Sequence, residues 1–439
     1  MNLFCVLRRF LMIFIDDFLL LKKEAELQRL WKRRSYFQDN KIFDEVKAII
    51  NDIKTRGLEA IKEYSKKFDD YDLSSGLIAS EEEIVSQARL VPVDVSNALK
   101  HSAKRIKRYH QSIKIKSFKY ETEESESGFK WTPIENVGIY VPGGLAAYPS
   151  TILMTVIVAD VAGVDNIYVC SKPNRGKINP YIASAVLACN SKKVKIVKLS
   201  GVQAISSMAL GLGIKKVDKI FGPGNDYVSL AKKYFFGEVA IDMIAGPSEI
   251  LIVSDGKTNP SWIAWDFLSQ AEHDKNAKTG LISNEIDFLN EVMEKVKEYS
   301  LKVLNKHIVE SSLQNSFFGF APTLEDAISI SNILAPEHLE IACENPDELF
   351  DKVQNAGTVF LGSLTCEPFG DYILGPSHVL PTSGSARYFS GINVYDFLKR
   401  TNFSRIKTKD ALKNLLDASL IAEVEGFSAH KKAMLCRNE

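Results

Sequence analysis

Glu337 and His338 stand side by side in the run Ala335-Pro336-Glu337-His338-Leu339-Glu340. An imidazole exchanges a proton near neutral pH, with an unperturbed pKa of about 6.5. A neighbouring carboxylate can hold, orient or complement it, and acid/base chemistry at an alcohol or aldehyde carbon needs such a pair. The same two residues also suit an ordinary capped helix start, with Pro336 at the first helical position and Glu337 at the positive end of the dipole. Their company shifts the balance. Of the seven histidines, four (His273, His338, His378 and His430) fall in unusual local contexts, accompanied by Glu337, Asp371 and Glu425. Imidazole and carboxylate without cysteine suit Zn²⁺, Mn²⁺ or a similar borderline ion. No H-E-x-x-H run is present, so spacing alone leaves the metal and its ligands open.

Two further segments could carry chemistry. Asn259-Pro260 opens a predicted helix with the apolar stripe Ala264, Phe267, Leu268 and Ala271. Gln270 and His273, three apart, project from neighbouring positions off that stripe and could converge on one ligand, although a solvent-facing pair is the plainer reading. Glu367 to Tyr372 and Gly375 to Thr382 place Asp371 and His378 in a predicted loop punctuated by glycine and proline. Such loops often bind ligands, and a structural loop with one capping Asp is the alternative.

The elements that must position these residues follow from periodicity. Phe43, Val46, Ile49, Ile50 and Ile53 recur at helical spacing, Gly57 interrupts, and Ala60, Ile61, Tyr64 and Phe68 continue, which predicts two helices. Glu81 to His110 is a further helical region with a solvated basic run, Lys104 to Arg108. Thr122 to Ser127 reads as an acidic loop or hairpin tip. Strands over 137–141, 166–170, 194–198 and 219–221 then alternate with helices over 150–162, 181–189, 204–212 and 227–235, with Ser150 as the first N-cap. That alternation predicts a parallel sheet with helices on both faces. Its ligands belong at the carboxyl ends of the strands, where Pro142-Gly143-Gly144 and Gly222-Pro223-Gly224-Asn225 stand. Neither turn is a G-x-G-x-x-G fingerprint, since Tyr227 occupies the third glycine position, and tight turns alone would explain the glycines. Further on, 250–253 and 357–362 read as strands, 319–333 as strand then helix, and Asp410 to Ala422 as one helix.

Composition bounds the class. The 439 residues carry 55 basic and 55 acidic side chains, which argues against a nucleic-acid or anionic-membrane protein. Length suggests roughly three ordinary domains or two large ones. Six cysteines are scattered without a CxxC pair, which fits a reducing, cytoplasmic compartment. Residues 1–21 are rich in Phe, Leu and Ile but include Arg8, Arg9, Asp16 and Asp17. No uncharged run there approaches the ~20 residues of a membrane span. An amphipathic docking helix, or a start upstream of the native one, is the expectation.

The motifs taken together resemble histidinol dehydrogenase. They are Tyr140-Val-Pro-Gly-Gly-Leu-Ala-Ala-Tyr-Pro149, Gly222-Pro-Gly-Asn225, Ile241-Asp-Met with Ala245-Gly-Pro-Ser-Glu249, and Ser269-Gln-Ala-Glu-His-Asp274. Ala335-Pro-Glu-His-Leu-Glu340, Gly370-Asp-Tyr372, His378-Val-Leu-Pro-Thr382 and Glu425-Gly-Phe-Ser-Ala-His430 complete the set, in the family's order over residues 28 to 435. The resemblance implies an α/β fold of two incomplete Rossmann-like parallel-sheet domains, with a helical N-terminal segment and a swapped C-terminal tail. The corresponding segments are 1–35 (extension and helix), 36–132 and 249–392 (two parts of domain 1), 133–248 (Rossmann-like domain 2) and 393–439 (dimerisation tail). It implies NAD- and zinc-dependent oxidation of L-histidinol through L-histidinal to L-histidine, by a homodimer with a shared active site and one Zn²⁺ per subunit. Residue by residue, Gln270, His273 and Asp371 would bind zinc, with His430 supplied by the other subunit. Glu337 and His338 would be the catalytic pair. Ser248, His378 and Glu425 would join those zinc ligands and His338 in contacting substrate, and Tyr140, Gln203 and Asn225 would contact NAD.

The chain departs from the family pattern at three places: Ser377 where Asn is usual, Ile244 where Pro is usual, and Cys366 in place of a Pro. Ser377 borders the implied substrate pocket. Two rival readings follow: a related zinc/NAD dehydrogenase acting on another polyol, such as a sulfonated propanediol, and a hydrolytic or non-enzymatic zinc protein.

Overall fold

Gly57 sits at φ +62° between two helices, Asn40–Arg56 and Leu58–Asp69, where the sequence predicts the break. A left-handed backbone costs glycine nothing and strains most other residues. The structure is a computed structural model that describes residues 11–14, 31, 40–143 and 147–438. Val46, Ile50 and Ile53 repeat every three or four residues, and with Ile61 of the next helix they are fully buried in one apolar cluster with Val202, Ile205 and Val228. The next helical region is two helices, Glu81–Ala88 and Val93–Ser112, divided at Pro92, whose ring has no N–H to continue the first. The Ser80 hydroxyl accepts from the Glu83 amide and caps the first of them.

The strands are β1 Leu11–Phe14, β2 Phe118–Glu121, β3 Ser125–Pro133, β4 Asn136–Val141, β5 Asn166–Ser171, β6 Val194–Val197, β7 Lys219–Phe221, β8 Ala240–Ile241, β9 Glu249–Ser254, β10 Lys278–Ser283, β11 Phe317–Phe320, β12 His338–Ala342, β13 Thr358–Leu361 and β14 Leu398–Ile406. They form three sheets. The first is parallel, in the order β6-β5-β4-β7-β8. The second is parallel, in the order β1-β11-β10-β9-β12-β13. The third is antiparallel, β14-β3-β2; the tip expected over 122–127 is shorter, 122–124, because Ser125 already begins β3. In the first sheet the chain runs outward from β4 to β6 and then crosses back past β4; in the second it runs outward from β9 to β11 and then crosses back past β9. The crossing points fall between β4 and β7, and between β9 and β12. The fold is therefore α/β with two parallel sheets and a helical N-terminal segment, as the sequence predicts.

Both parallel sheets are covered on both faces, so their strands read as continuous apolar runs rather than alternating ones. All six residues of β9 and all five of β12 are buried. Ile250, Leu251, Ile252 and Val253 are wholly enclosed, each contributing about 1.5–3 kcal/mol through burial. Polar residues inside such strands are costly, which makes the acidic and imidazole groups of β9 and β12 the exceptions that call for a reason.

Several expectations are corrected. Residues 11–14 are an edge strand paired in parallel with β11, not part of a docking helix; the remainder of 1–30 lies outside the described residues. Beside that edge Trp31 is 1% exposed and meets Phe317 edge-on, as part of the core. The helix expected from Ser150 is Pro149–Ala162 with Tyr148 at its N-cap, because Pro149 takes the first position. Glu337 and His338 do not begin a helix. Ala335, at φ +47°, closes the preceding helix Leu324–Leu334, and the chain then enters β12. The segment Glu367–Tyr372 is a short helix rather than a loop. The tail helix expected over 410–422 is two, Lys409–Lys413 and Ala418–Val424, followed by Ser428–Leu435. Among the described residues no helix is long and apolar enough to cross a membrane.

Candidate active site

The cleft lies between opposite ends of the two parallel sheets. From the first sheet it receives the turns after β4 and β7, with Pro142, Pro223, Gly224 and Asn225 on its wall. These are carboxyl ends at a crossing point, as the alternation predicts. From the second sheet it receives amino ends: Ser248 precedes β9, Glu337 precedes β12 and His338 begins it. The cleft thus meets the carboxyl ends of the first sheet and the amino ends of the second. Segment 242–248 crosses from one sheet to the other, and the cleft encloses about 570 Å³, room for a small substrate.

Helix Pro260–Ala271 leaves the carboxyl end of β9 and runs back, which returns Gln270 to the amino end beside His338. Asn259 caps it, accepting from the Ser261 amide at 2.9 Å. His273 lies two residues past the helix and lines the cleft. Glu367 and Asp371 are four apart on the helix Glu367–Tyr372, so both face the same way.

The His338 ring is fixed. Its Nδ1 is 3.0 Å from the Glu249 carbonyl oxygen and 2.8 Å from Gln270 Oε1. The carbonyl can only accept, so Nδ1 carries the hydrogen and Nε2 keeps its lone pair. Nε2 is buried, finds no hydrogen-bond partner among the described residues and lies 3.8 Å from Glu367 Oε1. His338, Glu367 and Asp371 each turn one donor atom into a space where all three lie within 4.8 Å of one another. The His378 Nδ1 is 3.0 Å from the Asp371 carbonyl oxygen and 3.7 Å from its carboxylate. Glu337 Oε2 accepts the Glu249 N–H at 2.9 Å and lies 3.8 Å from His338 Nδ1.

Burial dominates the electrostatics. It holds the Glu337 carboxyl well above the usual carboxylate range, against the opposing Glu249 amide. It pushes Glu367 up to about 9, with the nearby Asp371 charge adding to the effect. It pushes His338 down to about 4, so the imidazole is neutral at neutral pH. Lys278 approaches Glu249 at 3.5 Å. A buried concentration of carboxylate and bare imidazole nitrogen is unfavourable by itself and suits a divalent cation. The bare Nε2 and the carboxylates of Glu367 and Asp371 are donors of that kind. His273 and Asp371 line the same cleft, and among the described residues the buried Gln270 Nε2 finds no hydrogen-bond partner.

The structure brings Glu337, His338, Gln270, His273, Asp371, His378, Ser248 and Asn225 to one region. Asn225 also caps helix Asp226–Phe235, accepting from the Val228 amide at 3.1 Å. Tyr140 and Gln203 do not line this cleft. The Tyr140 hydroxyl accepts from the Gly201 amide at 3.2 Å, and the buried Gln203 amide donates to Asp69 at 3.0 Å. Glu425 and His430 are exposed on the tail, where His430 stacks near Phe427, and neither lines the cleft of its own chain. Ser377 turns its hydroxyl into the fold, donating to the Met154 carbonyl at 3.0 Å, so this departure does not present a new group to substrate. Sequence reasoning missed Glu367. Its signal was the four-residue spacing to Asp371, hidden by reading the segment as a loop.

Helix Val93–Ser112 backs the segment that carries Asp371. The Ser102 hydroxyl donates to the Tyr372 carbonyl and Arg105 Nε to the Ile373 carbonyl at 3.1 Å. Further along the helix, His110 is fully buried, and burial pushes it down to about 4. A depressed histidine is neutral in the folded chain and takes up a proton on unfolding below its unfolded pKa of about 6.5. Its contribution is therefore complete above that pH and is lost as pH falls toward 4. From pH 7.5 to 5, His110→Gln should lose about 2 kcal/mol less unfolding free energy than the unmodified chain, measured by urea denaturation. Equal losses would contradict the assignment.

The family model described as Histidinol dehydrogenase matches residues 32–438. A histidinol dehydrogenase of Nitrosospira multiformis is 41% identical over 398 residues, covering 90% of each chain. One of Aquifex aeolicus is 40% identical over 422 residues, covering 95% of this chain and 97% of that one. The crystal structure of histidinol dehydrogenase from Elizabethkingia anophelis matches with a TM-score of 0.91 at 35% identity, covering 98% of both chains.

Proposed function

The chain belongs to the histidinol dehydrogenase family, and from that premise we propose that it oxidises L-histidinol through L-histidinal to L-histidine in two NAD⁺-dependent steps, in the cytoplasm. The observation that carries the mechanism is the His338 ring, tied at Nδ1 and bare at Nε2 in the corner formed with Glu367 and Asp371.

One Zn²⁺ per subunit, held by Gln270, His273, Asp371 and the partner subunit's His430, would fix the substrate's imidazole and amine, while NAD⁺ takes up the hydrides. The chain's own residues do the rest. His338 Nε2 takes the hydroxyl proton as the alcohol is oxidised, and the Glu249 carbonyl keeps the ring in the tautomer that can do so. Glu337 then takes a proton from a water that attacks the aldehyde, and burial raises its affinity for that proton. Ser248 and His378, with Glu425 of the partner subunit, would hold the amino alcohol.

The dinucleotide is assigned to the crossing point of the first sheet, against Asn225, with Tyr140 and Gln203 at the same edge of that sheet. Sharing of the site between two subunits is supported by the tail, where Leu420, Ile421 and Val424 are exposed apolar residues ahead of Glu425 and His430. The segment boundaries proposed above are kept, and the change of sheet between β8 and β9 supports the one at 248.

The test is an assay of the purified protein with histidinol, NAD⁺ and zinc. Two NADH should form per histidinol consumed. Chelation should abolish turnover and zinc restore it. A single NADH per substrate, full activity after chelation, or a preference for simple diols over histidinol would each overturn the proposal.

A further inference from the structure

Gly222 follows β7 and opens the turn Gly222-Pro223-Gly224-Asn225. Its φ is +103°, and a Cβ there would stand 2.1 Å from the Tyr140 carbonyl oxygen. The turn therefore passes directly over the backbone of β4. Both backbone polar groups of Gly222 are held by side chains. Asp242 Oδ2 accepts its N–H at 2.7 Å, and Lys232 Nζ donates to its carbonyl oxygen at 2.9 Å. Lys232 and Asp242 are also paired with each other, and Asp242 Oδ1 accepts the Met243 N–H at 2.6 Å. Their side chains are 3% and 2% exposed.

A buried ion pair adds little net stability, because desolvation offsets the attraction, and apolar residues of similar volume often serve as well. Its value here lies in what it joins. Lys232 stands on helix Asp226–Phe235, whose first turn is capped by Asn225 on the cleft wall. Asp242 follows β8 and begins the crossover that carries Ser248 into the cleft. One charge comes from the helix, the other from the crossover, and Gly222 is clamped between them. Neither side chain lines the cleft, and the mechanism above uses neither.

We infer that Lys232 and Asp242 are positioning residues for the dinucleotide, holding the Gly222–Asn225 turn in the shape that receives it. This rests on the cofactor reading given above. The turn has two glycines and no side chain long enough to hold itself, so its conformation depends on the groups that grip it. Release of the clamp lets the turn sample other shapes, and the cofactor must then select the competent one at a cost in affinity.

The test uses the zinc-loaded enzyme and the variants Asp242→Asn and Lys232→Met. NADH binding is titrated by fluorescence, and KM is measured for each substrate. The expected result is a rise of about tenfold or more in the NADH Kd and in KM for NAD⁺. KM for histidinol, kcat at saturating NAD⁺ and zinc content should stay within about twofold. An independent reading needs no variant. In the unmodified enzyme, hydrogen exchange at Gly222 and Met243 should be about 100-fold slower than at Gly224, because their amides bond to a buried carboxylate. Folded variants with unchanged NADH affinity, parallel rises in both KM values, or a Gly222 amide that exchanges as fast as Gly224 would overturn the inference. Failure of the unmodified enzyme to bind NADH would instead overturn the cofactor reading, and the inference with it.

Discussion

Glu337→Gln is expected to slow oxidation of histidinal by about 10²–10⁴-fold while slowing oxidation of histidinol by less than about tenfold. The substitution is nearly isosteric. The Glu337 oxygen accepts the Glu249 amide at 2.9 Å, and a carboxamide oxygen can accept the same bond, so the start of β12 keeps its shape. What is lost is the ability to take a proton. The first oxidation needs a base at the hydroxyl, the part proposed for His338 Nε2, whose tether the substitution leaves intact. The second needs a base for water, the part proposed for Glu337, whose affinity for a proton burial raises. Histidinol and histidinal assayed as separate substrates separate the two steps. Equal loss of both would remove Glu337 from the second step and return it to a structural part.

Mixing two inactive proteins should restore activity. Asp371→Asn removes a cleft carboxylate, and His430→Ala removes an imidazole that stands exposed on the tail, outside the cleft of its own chain. Each variant alone should be inactive. A hybrid of the two would contain one site built entirely from intact residues. With random exchange half the dimers are hybrids, so activity should recover to about a quarter of the unmodified level. The mixture is followed by NADH absorbance, with subunit exchange verified by native mass spectrometry of differently tagged chains. Proven exchange without recovery would show that the tail does not supply the partner's site.

Much of the first sheet was legible because its strands and helices alternate at short spacing, and the glycines at 143, 222 and 224 mark where the strands end. The second sheet was harder. Its site residues stand at amino ends, where a Glu-His pair behind a proline reads equally well as a helix start. The deciding feature is the left-handed Ala335, a conformation that alanine rarely takes and that no local pattern announces. Glu367 was missed because a run of Glu, Pro, Phe and Gly has weak helical propensity; proline at the second position of the short helix is tolerated there, and the flanking fold supplies the rest. The tether of His338 to the Glu249 carbonyl joins residues 89 apart in sequence, and only the pairing of β12 with β9 brings them together. The resemblance supplied what periodicity could not, including the nomination of Gln270, an amide that chemistry alone ranks low as a ligand. It did not supply Glu367.

The nine paired positions of β14 along β3, from Leu398 opposite Pro133 to Ile406 opposite Ser125, act as a ruler for everything that follows them. A strand advances about 3.4 Å per residue, so a two-residue slip in this ladder would carry the tail roughly 7 Å while keeping every side chain on its own face. This ladder therefore sets how far the 33 residues after β14 reach beyond the fold.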